Sequence, residues 1–118
     1  MAQGYAYLPD ISAADTLNFF GSNGAVVPAS ETLLVTHTVP TSKTALLKYV
    51  YGSGETDGRF KLYVNSTAVW VARNAWTQRN IQDMVEKSLV AGDIVELKIT
   101  NLGSTNHFFS GGFYVNEI

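Results

Sequence analysis

From Glu31 onward, polar and apolar positions along the chain alternate with a period of two. Leu33, Val35, His37 and Val39 share one side of a run whose other side holds Leu34, Thr36 and Thr38, and Pro40 followed by Thr41-Ser42-Lys43 ends it. Residues 45–51 are rich in strand formers and apolar on both faces except at Lys48, the pattern of a strand covered on two sides or lying at an interface. In residues 59–64, Phe60, Leu62 and Val64 oppose Arg59, Lys61 and Tyr63, which reads as a half-buried strand. Asn65-Ser66-Thr67 is a tight hairpin connection into a return strand over residues 68–73, and residues 74–80 read as a surface crossing. Residues 81–87 fit either a strand or one and a half helical turns, and the strand-rich surroundings favour the strand. Val90-Ala91-Gly92-Asp93 then turns into a strand over residues 94–100, a polar loop over residues 101–106 and a closing strand over residues 107–118.

Residues 1–30 lack this regularity. Ala, Gly, Ser, Asn and Pro punctuate isolated apolar residues with no sustained period, so this stretch is expected to be an extended N-terminal arm holding at most one short strand. Its aromatics, Tyr5, Tyr7, Phe19 and Phe20, are more than a solvated tail carries, which implies burial against the chain's own sandwich or against a neighbour. The expected organisation is therefore an arm, 1–30, and one sandwich domain, 31–118. About seven or eight short antiparallel strands separated by turn signals define an all-β, jelly-roll-like sandwich.

Composition narrows the function classes. The chain of 118 residues, 46% of them apolar, suits a single core. A net charge of −2 with 15% charged residues offers no electrostatic footprint for nucleic acid or an anionic membrane. With no cysteine there is no disulfide framework and no thiolate metal site. The first ten residues carry no basic region and no apolar run of leader length, and no apolar run approaches the ~18 residues of a membrane-spanning helix. Synthesis in a cytoplasm without a signal peptide is the expectation.

Candidate chemistry is sparse, and the sequence points away from an enzyme. His37 and His107 have no acidic or histidine partner at ligand spacing and read as core or interface residues, so neither a metal site nor a cofactor is expected. Glu55 and Asp57 sit in a glycine-rich loop without the spaced carboxylate series of a calcium loop. Asp83 with Glu86, and Asp93 with Glu96, are three apart, which in a strand puts them on opposite faces. No serine lies in a nucleophile elbow, and Gly52-Ser53-Gly54 leads toward a strand, not the helix N-terminus of a phosphate loop. Aromatic residues are what remain. Trp70, in mid-strand, is expected in the core, and Trp76 is expected to cover the end of its own sandwich. With Arg73 and Gln78 beside it, Trp76 is also the better candidate for stacking on a carbohydrate.

The terminal region resembles known families. Residues 89–97, with their Gly-Asp turn, and the segment Phe108-Phe109-Ser110-Gly111-Gly112-Phe113 resemble the last hairpin of trimeric C1q/TNF-like jelly rolls over about thirty residues. The second glycine is an insertion relative to that pattern, and no collagen-like stalk is present. The whole chain, with its aromatic arm, polar strands and lack of cysteine, is similar to small virion proteins of tailed bacteriophages, capsid decoration or cement proteins being nearest in size. That resemblance implies a non-catalytic homotrimer on the capsid surface of a virion, bound to the major capsid protein. On this reading Tyr5, Tyr7, Leu8 and Ile11 would contact the capsid. Leu46, Tyr49 and Tyr51, with Phe113, Tyr114 and Val115, would form the oligomer interface. The alternative is a carbohydrate- or receptor-binding module of a tail fibre, using Trp76, Arg73 and Gln78. Gly111 and Gly112 within a strand imply a bulge or the close approach of another backbone.

Overall fold

The computed structural model describes residues 15–118, which form eight strands and no helix: β1 (Asp15–Val26), β2 (Glu31–Thr38), β3 (Thr44–Gly54), β4 (Gly58–Val64), β5 (Thr67–Asn74), β6 (Asn80–Val90), β7 (Ile94–Asn101) and β8 (His107–Glu117). They pair antiparallel in two four-stranded sheets, β1-β8-β3-β6 and β2-β7-β4-β5. This interleaving, in which the first and last strands are neighbours, is the strand order of a jelly roll. Alternation along residues 31–118 accounts for the two layers, because a strand with one dry side must bury it against another sheet. The inner face gathers Leu47, Val50, Phe60, Leu62, Leu97, Ile99, Phe109, Phe113 and Val115, all fully buried. Phe60 and Phe109 meet edge to face across the sheets at 6.1 Å.

One boundary differs from expectation. Asp15–Val26 is a twelve-residue strand paired with β8 from Asp15↔Glu117 to Val26↔His107, so the sandwich begins within the stretch expected to be an arm. Its glycines and asparagines fit an extended arm with one short strand, yet Leu17 and Phe19 alternate with Asn18 and Phe20, and Phe19 packs on the core. Tyr5, Tyr7, Leu8 and Ile11 lie outside the described residues.

Glycines set how closely the two sheets approach. Gly21, Gly111 and Gly52 occupy one cross-strand row over β1, β8 and β3. A methyl on Gly52 would meet the Phe60 ring at 2.6 Å, and one on Gly111 would meet Leu97 at 2.8 Å. Pairing runs without a shift from Phe109 to Phe113, so Gly111-Gly112 is not a bulge, and the close approach is made by the chain's own strands. Gly111 faces inward, while Gly112 lies beneath the ring of Tyr51 on the outer face.

The turns are held by side chains. Asn65 and Ser66 both have positive φ, the left-handed pair of a type I′ hairpin turn. The Asn65 amide donates to Asp93 and accepts from the Ile94 N–H, docking the β4–β5 turn on the Gly-Asp turn before β7. At the other end, the buried Asn74 donates to the carbonyls of Thr56 and Arg79, and the buried Asn101 donates to those of Val26 and Thr105.

Candidate functional site

The two outer faces differ in chemistry. On β2-β7-β4-β5 the outward residues include Arg59, Lys61, Tyr63, Glu96 and Lys98. Tyr63 donates its hydroxyl to Glu31 at 2.7 Å, and the Lys98 ammonium lies 5.0 Å over the same ring. The bond to the carboxylate, reinforced by burial, pushes the Tyr63 phenol up to about 12. This is a solvated, charge-laced face.

The outer face of β1-β8-β3-β6 is neutral and aromatic. β3 turns Leu46, Tyr49 and Tyr51 outward, β8 adds Tyr114, β1 adds Phe20 and β6 adds Met84. Tyr114 stands edge-on to both Tyr49 and Tyr51, at 6.5 and 5.7 Å, and Phe20 lies nearly parallel to Tyr51 at 6.3 Å. Tyr51 crosses Gly112 and donates to Asn18 on β1 at 2.6 Å, and its burial raises the phenol's pKa. The charges Lys48 and Glu86 on this face pair with each other at 3.1 Å. A cleft of about 720 Å³ opens between the aromatic rings and the polar residues toward the loop end of β3. A smaller hollow of about 390 Å³ lies at the opposite end, bordered by Leu46, Val90 and Ile118.

Of the expected interface residues, Leu46, Tyr49, Tyr51 and Tyr114 come together on this face. Phe113 and Val115 do not: both are fully buried in the core, because three consecutive residues of a strand cannot all point outward. Phe20 and Met84 belong to the face and were not foreseen, since only the pairing of β1 with β8 and of β6 with β3 brings them there.

Trp76 is 67% exposed in the β5–β6 turn and covers no core. The turn closes on itself through the Ala75 and Gln78 backbones, and Asp57 accepts from the Trp76 backbone N–H, which fixes the turn that carries the exposed indole. Arg73 and Gln78 are exposed near it, and none of the three lines the cleft. Trp70 is half-buried against the core; its indole N–H donates to Asp83 at 2.8 Å and ties edge strand β5 to edge strand β6.

The histidines have partners that spacing did not reveal. His37 donates through Nε2 to Glu117, eighty residues away, both side chains largely buried, and Phe19 stacks on the imidazole at 4.0 Å. His107 sits 3.5 Å from Glu55, whose carboxylate also accepts from the Phe108 N–H. That backbone bond, with help from His107, holds the Glu55 carboxyl below its usual range. Glu55 and Asp57 thus pin loops. Among the described residues, no group of three or more His, Cys, Asp or Glu is gathered to hold a metal.

No family model matches the sequence, and no curated protein is significantly similar to it. Among solved structures, the chain is similar to the insecticidal delta-endotoxin Cry8Ea1 of Bacillus thuringiensis, with a TM-score of 0.40 and 13% identity. The match covers 88% of this chain and 19% of the toxin, so the chain spans about a fifth of that protein's length. At that level the likeness says nothing about function.

Proposed function

We propose that the protein is a non-catalytic virion structural protein that self-associates, as a trimer, and binds the outer surface of a phage capsid in the manner of a decoration or cement protein. The observation that supports this reading is the contrast between the two outer faces. One carries Arg59, Lys61, Glu96 and Lys98 beside its exposed Leu33 and Val71, and the other exposes Phe20, Tyr49, Met84 and Tyr114, with Lys48 and Glu86 paired to each other. Neutral faces of this kind suit contact with a second protein surface better than open water.

The mechanism is physical. A closed symmetric oligomer presents one contact several times, so a weak bond per subunit accumulates through effective concentration into a lasting clamp. Self-association uses the apolar end of the neutral face, around Leu46, Val90 and Ile118, with Tyr49 and Tyr114 beside it. The segment carrying Tyr5, Tyr7, Leu8 and Ile11 reaches the capsid. The test is co-sedimentation of the purified protein with assembled phage shells, with and without residues 1–12. Retention by shells that is lost on the deletion supports the reading; retention unchanged by the deletion removes the arm's role, and no retention removes the capsid role.

A further inference from the structure

We infer that the cleft on the outer face of β1-β8-β3-β6 is a binding site for a neutral saccharide. The cleft's walls divide by chemistry. One side is ring surface: Phe20, which is 56% exposed, with Tyr51, Tyr49 and Tyr114. The other side is a row of uncharged hydrogen-bonding groups, Ser110, Ser53 and Asn80, which face one another across β8, β3 and β6, with Gln82 one step along the edge strand.

That pairing suits a sugar ring. A pyranose has an apolar face of C–H groups that stacks on an aromatic ring and a rim of hydroxyls that both donate and accept. Serine hydroxyls and primary amides likewise do both, so they satisfy such a rim in any orientation. Among the described residues, none is hydrogen-bonded to the side chain of Asn80, Gln82, Ser53 or Ser110, and all four line the cleft.

The absence of charge sets the class. Among the described residues, no Asp, Glu, Lys or Arg lines the cleft. Asp83, next to Gln82, is turned the other way onto Trp70, and Lys48 and Glu86 neutralise each other farther along the face. A sialylated or uronic sugar would leave its carboxylate without a cation, whereas a neutral hexose chain loses nothing. The volume of about 720 Å³ has room for a short oligosaccharide and lies within the usual range for ligand sites. The cleft opens toward the end of the face away from Leu46, Val90 and Ile118; Tyr49 and Tyr114 border both regions, so the site is probed at Phe20 and Gln82, which line the cleft but not that apolar end.

The experiment is titration of the full-length protein with neutral malto-, cello- and galacto-oligosaccharides, and with a sialylated and a uronic oligosaccharide, followed by calorimetry and ligand-observed NMR. Variants are Phe20→Ala and Gln82→Ala, at exposed positions where folding is undemanding, and Trp76→Ala. Circular dichroism and solution mass are recorded for each, so a change of fold or assembly is separated from a loss of sugar. At least one neutral series should bind with a Kd at or below the millimolar range, Phe20→Ala and Gln82→Ala should each weaken it tenfold or more with mass unchanged, and Trp76→Ala should leave it alone. Absence of binding to all neutral series, stronger binding of the acidic sugars, or loss with Trp76→Ala but not with Phe20→Ala would each overturn the assignment.

Discussion

Replacing Gly112 by alanine tests the packing of the outer face at its tightest point. The new methyl would lie 2.5 Å from the Tyr51 hydroxyl oxygen and 2.8 Å from its ring, and would also press on the Phe19 carbonyl. Tyr51 can swing aside only by giving up its bond to Asn18 and its place over the strand. The carbonyl cannot move, because it belongs to the β1–β8 ladder. Overpacking of this kind costs about 1–3 kcal/mol, and the reduced entropy of the unfolded alanine chain returns about 0.4–1 kcal/mol. A net loss of roughly 1–2 kcal/mol follows, or a fall in Tm of roughly 4–8 °C for a chain of this size. Gly24→Ala is the matched control: no atom lies within 4 Å of its added methyl and its φ is not positive, so the same substitution should be neutral or slightly stabilising. Urea and thermal unfolding of both variants, followed by circular dichroism, read the two signs. If Gly112→Ala proved as stable as the parent, Tyr51 would not lie where the packing requires it.

Trp76→Ala should change stability by no more than about 0.5 kcal/mol in the same assay, since the exposed indole covers no core; a larger loss would restore it to the fold. Glu117→Ala should cost about 1–3 kcal/mol, because it leaves His37 buried beneath Phe19 with its partner gone, and an unchanged urea midpoint would refute the pairing. The carboxyl of Asp93 is held below the usual range, first by the Val90 N–H and then by the Asn65 amide. Its folded pKa being the lower one, its contribution is present above the unfolded carboxylate range and is lost as pH falls through the folded value. Asp93→Asn should therefore be less stable at neutral pH and lose less between about pH 5 and pH 2 than the parent, and parallel acid titrations of the two proteins would contradict that.

The sandwich was legible because strands such as β4 and β7 bury one side and leave the other wet, which writes a period of two into the sequence, and turn residues mark the ends of the rest. β1 escaped that reading. Gly21, Ser22, Asn23 and Gly24 look like a loop, and only the nearness of the second sheet explains why Gly21 must have no side chain. Spacing could not reveal the His37–Glu117 pair, since it exists only because β2 and β8 come to face each other across the sandwich. Tyr49, Tyr51 and Tyr114 could be singled out from their strands, but their grouping with Phe20, Ser53, Ser110 and Gln82 depends on strand order, which alternation does not encode. Phe113 and Val115 show the reverse error: read beside Tyr114 they looked like a patch, although the pleat sends them into the core.

The account stands or falls on the neutral outer face being a surface of association. The direct measurement is the mass of the protein in solution, by light scattering or sedimentation, over a range of micromolar concentrations. The prediction is a stable oligomer at three times the 12.8 kDa of one chain, shifted toward monomer by Leu46→Glu with the circular dichroism of the fold retained. A single species of 12.8 kDa at every concentration, indifferent to a charge at Leu46, would contradict it.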